Sequence, residues 1–189
     1  MGIVIDLPRR TKVPQSYTLI RETGAPSIDA INALTDLDRA WMAGFFDGEG
    51  SIGLYRKMKD GQFYAVTTRI TIAQTGREQL DQFFKAFGGA MVLIDRPART
   101  TVRHTQYWTW TCDAVANASL FLQALRPWLR TKADEADIVM EYINNRYTYT
   151  LAEKETLIGN ISLLKTRITS HMDSERSAQI RAMRDGTEG

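Results

Sequence analysis

Two carboxylates, Asp47 and Glu49, stand two positions apart at the end of the segment WMAGFFDGEG. The six residues before them, 41–46, are all nonpolar, which predicts a helix with no face suited to water. Each carboxylate at the C-terminal end of a helix meets the negative end of the helix dipole, at a cost of about 0.3–1 kcal/mol. Burial without a partner would add to that cost, so the segment predicts a compensating cation. Oxygen-only ligands favour Mg²⁺, which keeps waters and phosphate oxygens in its coordination shell.

Small residues recur every four positions along this segment, at Ala40, Gly44 and Gly48. A stripe without bulk allows a second helix to approach closely. If that helix belongs to a second copy of the chain, the two acidic ends converge, and a divalent metal between them relieves their repulsion. The alternative is a buried helix that the two acids merely cap before a turn. A weaker alternative is a glycosidase with the two acids as its catalytic pair, although nothing else indicates a sugar cleft.

The elements around this helix follow from periodicity and turn residues. Capping boxes at Thr35–Asp38 and Thr75–Glu78 predict the starts of two helices. Period-two alternation from Ser51, which places Met58 on the apolar face, the turn Asp60-Gly61 and a return strand to Gln74 predict a hairpin between them. A second strand pair and three helices are predicted downstream, at about 91–95, 101–111, 114–125, 133–144 and 152–184. The order α-β-β-α-β-β-α-α-α predicts an α+β domain with an antiparallel sheet.

Composition narrows the class of protein. The 189 residues carry a net charge of only +2, are 43% hydrophobic and include a single cysteine, which excludes an internal disulfide and a cysteine zinc site. No apolar run is long enough to span a bilayer. These features predict a folded, soluble, intracellular protein without a membrane partner. The charge is uneven, however: residues 27–50 have a net charge of −4 and residues 51–110 one of +5.

The segment M-A-G-F-F-D-G-E-G resembles the LAGLIDADG motif, with matching glycines at 44 and 50 and both acids in place. Together with the downstream order of elements, the chain resembles single-motif LAGLIDADG homing endonucleases over about residues 35–146. The resemblance implies an α-β-β-α-β-β-α core whose curved antiparallel sheet forms a DNA-binding saddle. We expect an N-terminal arm over 1–34, rich in turn formers, the endonuclease core over 35–150 and a C-terminal helical extension over 151–189.

The resemblance also implies a function. It is that of a homodimeric endonuclease that uses Mg²⁺, with Mn²⁺ as an alternative, to hydrolyse both strands of a long pseudo-palindromic DNA site. Staggered cuts with short 3′ overhangs are expected. Such a protein would act in the cytoplasm of a bacterium or phage host, or in an organelle. The alternative is a non-cleaving relative on the same scaffold, either a DNA-binding regulator or an RNA-splicing maturase.

Roles transfer to individual positions through this resemblance. Glu49, where the family often has Asp, would bind the catalytic metal, and Gly48 would keep bulk away from it, while Asp47 would help to hold the helix end. Gln74 would orient the attacking water, and Lys132, with Arg130 as a nearby substitute, would supply positive charge. The alternatives are a strand-end polar residue and a solvated lysine. The predicted dimer interface consists of Ala40, Gly44, Phe45 and Gly48.

The outward faces of the predicted strands carry the candidate DNA contacts. A twisted β-ribbon fits the major groove, where Arg, Lys and Thr side chains can reach base edges. The alternative is an exposed sheet face with ordinary charges. The candidate residues are Tyr55, Lys57, Lys59, Thr67, Arg69, Thr71, Arg103, Thr105, Tyr107 and Thr109.

Overall fold

A computed structural model describes residues 17–96 and 105–166. From residue 36 onward its elements follow the predicted order, which confirms the α+β class. They are β1 Tyr17–Gly24, α1 Ile28–Asn32, α2 Asp36–Glu49, β2 Gly50–Lys59, β3 Gln62–Gln74, α3 Glu78–Phe87, β4 Gly89–Arg96, β5 Thr105–Cys112, α4 Val115–Leu125, a 3₁₀ turn Arg126–Trp128 and α5 Ala133–Asn145. A further helix, α6, is described over residues 151–166.

The five strands form one antiparallel sheet in the order β1-β4-β5-β3-β2. Alternate strand residues face the helices and are fully buried, among them Ile52, Ile70, Ile72 and Trp110. The residues between them form the opposite face, which the helices leave open. The described helices therefore pack on one side of the sheet, and polar side chains occupy the other.

Aromatic rings fill the core between the sheet and the acidic helix α2. Phe121 of α4 contacts Phe46 of α2 with ring centroids 4.9 Å apart, and Trp110 of β5 at 5.8 Å. Burying such a side chain stabilises the fold by roughly 1.5–3 kcal/mol. The buried indole N–H of Trp110 donates to the Gly88 carbonyl at 2.7 Å. This packing fixes the position of the C-terminal half of α2.

Helix α2 begins at the predicted capping box and passes directly into β2. The Thr35 hydroxyl accepts from the Asp38 backbone N–H, and the Asp38 carboxylate accepts from the Thr35 N–H. At the other end, Gly50 has no space for a side chain, since a Cβ there would lie 2.7 Å from the Phe46 carbonyl oxygen and would collide with the Phe46 ring. No loop separates α2 from β2, and this loopless joint fixes the position of the acids that end α2.

Three expectations about local structure are wrong. Residues 17–24 are not an extended arm but an edge strand, paired from Tyr17↔Asp95 to Gly24↔Gly89. Helix α3 starts at Glu78 with Arg77 as its cap, so Thr75 does not open it. Met58, predicted on the apolar face, is 54% exposed because the outer half of β2 extends beyond the helical layer.

Other expectations lie beyond the described residues. The predicted strand residues 101–104 and helix residues 167–184 fall there, and the division into arm, core and extension stays a prediction. In the described ranges, no helix combines the length and apolarity that a bilayer crossing requires.

Candidate functional site

The end of α2 is tied to the loop that precedes α5. The Asp47 carboxylate accepts the backbone N–H of Arg130 at 2.7 Å through one oxygen and that of Lys132 at 2.9 Å through the other. The Lys132 ammonium donates back to the Asp47 carbonyl oxygen. Both oxygens of Asp47 therefore serve the protein itself, and Lys132 is held beside the last turn of α2.

Lys132 is half-buried at this position. Burial lowers the pKa of its ammonium, and the carboxylates of Asp47, Glu135 and Glu49 oppose that shift. The ammonium also lies 6.0 Å from the centroid of the Phe46 ring, within reach of a cation–π contact. The result is a cation whose position is set by α2 rather than by solvent.

Glu49 and Gln74 lie near the same end of α2. Glu49 is the last residue of the helix and is exposed; among the described residues its carboxylate accepts no hydrogen bond and forms no ion pair. Gln74 ends β3, and because Gly50 pairs with Ile72, the end of β3 runs alongside the joint between α2 and β2. Glu49, Gln74 and Lys132, predicted from three separate segments, are brought to one end of the helix.

A second lysine, which the sequence did not single out, joins this group from α6. The Lys165 ammonium lies 3.4 Å from the Ser51 hydroxyl, two residues after Glu49. Burial lowers its pKa, and Glu135 opposes the shift. Lys165 is also close enough to Lys132 to lower the pKa of that residue by charge repulsion. In the sequence it is one of many charges on a polar helix, so no local signal distinguishes it.

One face of α2 is exposed in the single chain, on the side where a second helix was expected to approach. Leu37 is 79% exposed and Trp41 41% exposed. Ala40, Gly44 and Gly48 are exposed on the same face, and apart from the adjacent backbone of α2 no described atom lies within 4 Å of where a Cβ at either glycine would be. We call these five residues the α2 stripe. The fourth predicted interface residue, Phe45, is only half-buried and packs on Trp41 and Phe83.

The open face of the sheet forms a trough of about 580 Å³. Three predicted contacts line it, namely Arg69, Thr71 and Thr109. Arg69 is oriented by Asp113, with Nε 3.4 Å from the carboxylate, and lies 5.1 Å over the Tyr55 ring. Because both partners are exposed, this ion pair orients the side chain more than it stabilises the fold.

The remaining predicted contacts are distributed along the strands. Tyr55, Lys57, Lys59 and Thr105 are exposed, Thr67 and Tyr107 are half-buried, and Arg103 lies outside the described residues. Tyr55 stands directly opposite Thr67 in the hairpin register. The trough also contains Arg21 and Thr23 of β1, which were missed because that segment was interpreted as an arm. Their alternation with Glu22 and Gly24 was the available signal.

Comparison with known proteins was made at three levels. No family model matches the chain, and no curated protein matches its sequence. Among solved structures, the homing endonuclease I-CvuI in complex with the I-CreI target in the presence of Mg, with the DNA not cleaved, aligns with a TM-score of 0.54 and 23% identity, over 68% of this chain and 82% of that chain. I-CvuI in complex with its own target and Ca aligns with a TM-score of 0.52 and 21% identity, over 73% of this chain and 85% of that one.

A third neighbour is the LAGLIDADG homing endonuclease I-GzeII in complex with its DNA target. It aligns more loosely, with a TM-score of 0.48 and 13% identity, over 67% of this chain and 43% of that one. The chain has the fold of the LAGLIDADG homing endonucleases.

Proposed function

We propose that this protein is a homodimeric, site-specific endonuclease that hydrolyses both strands of a long, pseudo-palindromic DNA duplex with a divalent metal, Mg²⁺ or in its place Mn²⁺. The observation that carries the proposal is the position of Glu49. Its carboxylate is exposed at the end of the α2 stripe, next to a half-buried lysine and the end of the strand that carries Gln74.

The homodimer follows from the α2 stripe. Leu37 and Trp41 expose apolar surface; covering Leu37 would contribute roughly 1.5–3 kcal/mol, and covering the exposed part of Trp41 would add to it. Packing within the described chain does not explain why positions 44 and 48 are glycines. Glycine at these positions would, however, allow a second helix backbone to approach. Pairing of two stripes about a two-fold axis brings the two Glu49 carboxylates together at one end of the helix pair.

The oxygen donors that one chain supplies at the end of α2 fit Mg²⁺. Within the described residues no three metal-binding side chains cluster, and both Asp47 oxygens are taken by backbone N–H groups. Glu49 is left as the carboxylate donor, with Gly48 leaving space beside it. Mg²⁺ typically takes few protein carboxylates and completes its shell with water and phosphate oxygens, so a second Glu49 and the DNA would complete the site.

Metal bound at this position would neutralise charge on the attacking and leaving oxygens of the phosphodiester. The chain's own residues do the remaining work. The Lys132 ammonium adds fixed positive charge where negative charge develops, and Lys165 reinforces it from α6. The Gln74 amide can accept from and donate to a water, and so can orient it for attack.

The trough and the β2–β3 hairpin are the proposed DNA surface. Arg21, Arg69, Lys57 and Lys59 supply positive charge, and threonines and Tyr55 supply hydrogen-bonding groups on the same strands. The I-CvuI structures are DNA complexes, which supports this use of the shared fold. Because phosphate contacts release counterions, binding should weaken steeply with salt.

The proposal is tested by selecting cleaved sites from a DNA library in Mg²⁺ with the wild type and with Glu49→Gln. We expect the variant to bind a selected site as tightly as the wild type and to leave it uncut. Glu78→Gln, an exposed acid at the start of α3, serves as the matched control and should cut normally. Robust cutting by Glu49→Gln would disprove the assignment, and wild-type protein that binds without cutting would favour the non-cleaving alternative.

A further inference from the structure

Strand β1 lies outside the core that the motif resemblance implies. In that α-β-β-α-β-β-α core the four strands are β2, β3, β5 and β4, in this order across the sheet. Strand β1 precedes α2 in the chain and pairs with β4, so it widens the sheet by one strand at the edge opposite β2. The added strand therefore extends the face that forms the proposed DNA surface.

Two side chains of β1 lie on the open face of the sheet. Arg21 stands opposite Val92 of β4, and Thr23 stands opposite Ala90. All four residues line the trough. Arg21 and Thr23 are exposed, and within the described residues the Arg21 guanidinium forms no hydrogen bond or ion pair. The edge of the trough thus presents a cation that is available to an anionic ligand.

The other face of β1 is anchored to α3. The Glu22 carboxylate accepts from two nitrogens of Arg77, at 2.6 Å and 2.9 Å. At the end of the strand Gly24 packs against α3, where an added Cβ would lie 3.1 Å from the Phe84 ring. Because successive strand residues point to opposite faces, holding Glu22 on the helical side directs Arg21 into the trough.

The width of the sheet places β1 beside the major groove rather than in it. The ten residues of β2 lead away from the end of α2, and so from the proposed two-fold axis, which directs the strands along a half-site and the width of the sheet across the duplex. At about 4.8 Å between neighbours, the four core strands span about 14 Å, close to the major-groove width of about 12 Å. Strand β1 lies one further spacing out, where the sugar–phosphate backbone borders the groove.

We propose that β1 is a backbone-binding strand added to the nuclease core, in which Arg21 binds one DNA phosphate in each half-site and the Thr23 hydroxyl donates to the same backbone. The role rests on the proposed nuclease function, since it takes DNA as the ligand of this face. Guanidinium and hydroxyl groups are common donors to phosphate oxygens, and such contacts position a duplex without reading its sequence.

The inference is tested by neutralising single phosphates in a duplex that the wild type selects from a random library by binding. Each duplex of the series carries one methylphosphonate at the same position in both half-sites, and fluorescence anisotropy measures affinity without Mg²⁺. At the phosphate that Arg21 contacts, we expect the neutral linkage to weaken wild-type binding by about threefold to tenfold. Arg21→Ala should bind the unmodified duplex more weakly and lose nothing further at that position, while its other positions keep the wild-type effect.

Two control variants separate charge from shape. Arg21→Lys keeps the charge and should keep an effect at the same phosphate, and Lys85→Ala on the helical side should give the wild-type profile throughout. Base-pair substitutions beside that phosphate should change the affinity of the wild type and of Arg21→Ala by the same factor. Thermal melting should show that Arg21→Ala is as stable as the wild type.

The outcomes separate the two proposals. If no phosphate distinguishes the wild type from Arg21→Ala, or if a base pair distinguishes them instead, β1 is not a backbone-binding strand, whether or not the protein cuts DNA. If the expected phosphate effect appears but the wild type leaves its selected site uncut in Mg²⁺ and in Mn²⁺, the role of β1 holds and the nuclease function is wrong.

Discussion

The Asp47 carboxylate accepts the backbone N–H of Lys132 at 2.9 Å, although 85 positions separate the two residues in the chain. A second oxygen of the same carboxylate holds the N–H of Arg130. One side chain at the end of α2 therefore determines the path of the loop that carries the candidate catalytic lysine.

Replacing this carboxylate should loosen the loop. Asp47→Ala leaves two backbone N–H groups without their acceptor, and hydrogen bonds to charged groups contribute about 1.5–3 kcal/mol each when sheltered. Because the contact is partly exposed, we expect a total loss of about 1–3 kcal/mol in urea unfolding, together with reduced cleavage. Asp36→Ala at the exposed start of α2 is the control. Equal stability of Asp47→Ala and the wild type would contradict this role.

A large side chain on the α2 stripe should weaken the proposed dimer without disturbing the fold of the monomer. A Cβ at Gly44 meets nothing within 4 Å outside the adjacent backbone of α2, so the monomer should keep its fold in Gly44→Leu, while close helix approach is blocked. For Gly44→Leu, sedimentation equilibrium should give a dimer dissociation constant at least about tenfold larger than that of the wild type. This factor corresponds to roughly 1.4 kcal/mol.

Gly159 provides the matched control, because it too is exposed in a helix with no described atom within 4 Å of its Cβ position. Gly159→Ala should raise stability by about 0.5–1 kcal/mol without affecting association. A Gly44→Leu protein that remains as dimeric as the wild type would exclude the stripe as the interface.

Arg21, on the edge strand β1, should contribute to DNA affinity. Arg21→Ala removes one positive charge from the trough of each protomer, two in the proposed dimer, so the dependence of log affinity on log salt should become shallower by about 1.8. Fluorescence anisotropy across a salt series measures this slope. Lys85→Ala, an exposed lysine on the helical side, is expected to leave the slope unchanged. If the wild type, Arg21→Ala and Lys85→Ala all showed the same slope, β1 would not be part of the DNA-binding surface.

Arg77 should make stability sensitive to acid. It pairs with Glu22 of β1 at 2.6 Å and Asp81 of α3 at 2.8 Å, and it lowers the pKa of Glu22 from its ordinary value of 4.5. A carboxylate with a lowered folded pKa stabilises the fold above its unfolded pKa, and that contribution disappears as the pH falls from 4.5 through the folded pKa. The melting temperature should therefore fall less steeply between pH 7 and pH 3 for Arg77→Met than for the wild type. Parallel declines would show that the pair has no linkage to folding.

The thiol of Cys112 should not react with thiol reagents in the folded protein. It is fully buried on β5, and burial raises the pKa of its thiol to about 12, so the reactive thiolate is scarce at neutral pH. Reaction with Ellman's reagent should be negligible until denaturant is added and then reach one thiol per chain. Fast reaction of the native protein would contradict the packing around β5.

The parts of the structure that local chemistry determines were predictable from the sequence. The Thr35–Asp38 capping box starts α2, the Asp60-Gly61 turn closes the hairpin, and the alternation of Ile70 and Ile72 with Thr71 assigns the faces of β3. The placement of both motif acids at the C-terminal end of α2 was also correct. In each case the deciding interactions lie within a few residues of one another.

Long-range pairing was not predictable in the same way. Strand β1 is stabilised by β4, about 70 residues away, and the turn formers Gly24 and Pro26 mark the end of this strand rather than an extended arm. Arg77, not Thr75, is the cap residue of α3, and its side chain pairs with Glu22 of β1, a partner that the sequence around α3 does not indicate. Lys165 comes close to Ser51 and Lys132 only in the folded chain, and no pattern within its own segment records that position.

The loopless joint at Gly50 has a mechanical consequence. Since α2 ends and β2 begins at adjacent residues, with Phe46 packed against the glycine, the acid-bearing tip and the ribbon form one stiff lever. If the protein acts as the proposed dimeric nuclease, this direct connection would keep constant the number of base pairs between the cleaved bonds and the bases that β2 contacts. Targets with altered internal spacing would have to distort the DNA itself, because the protein has no slack there to absorb the change.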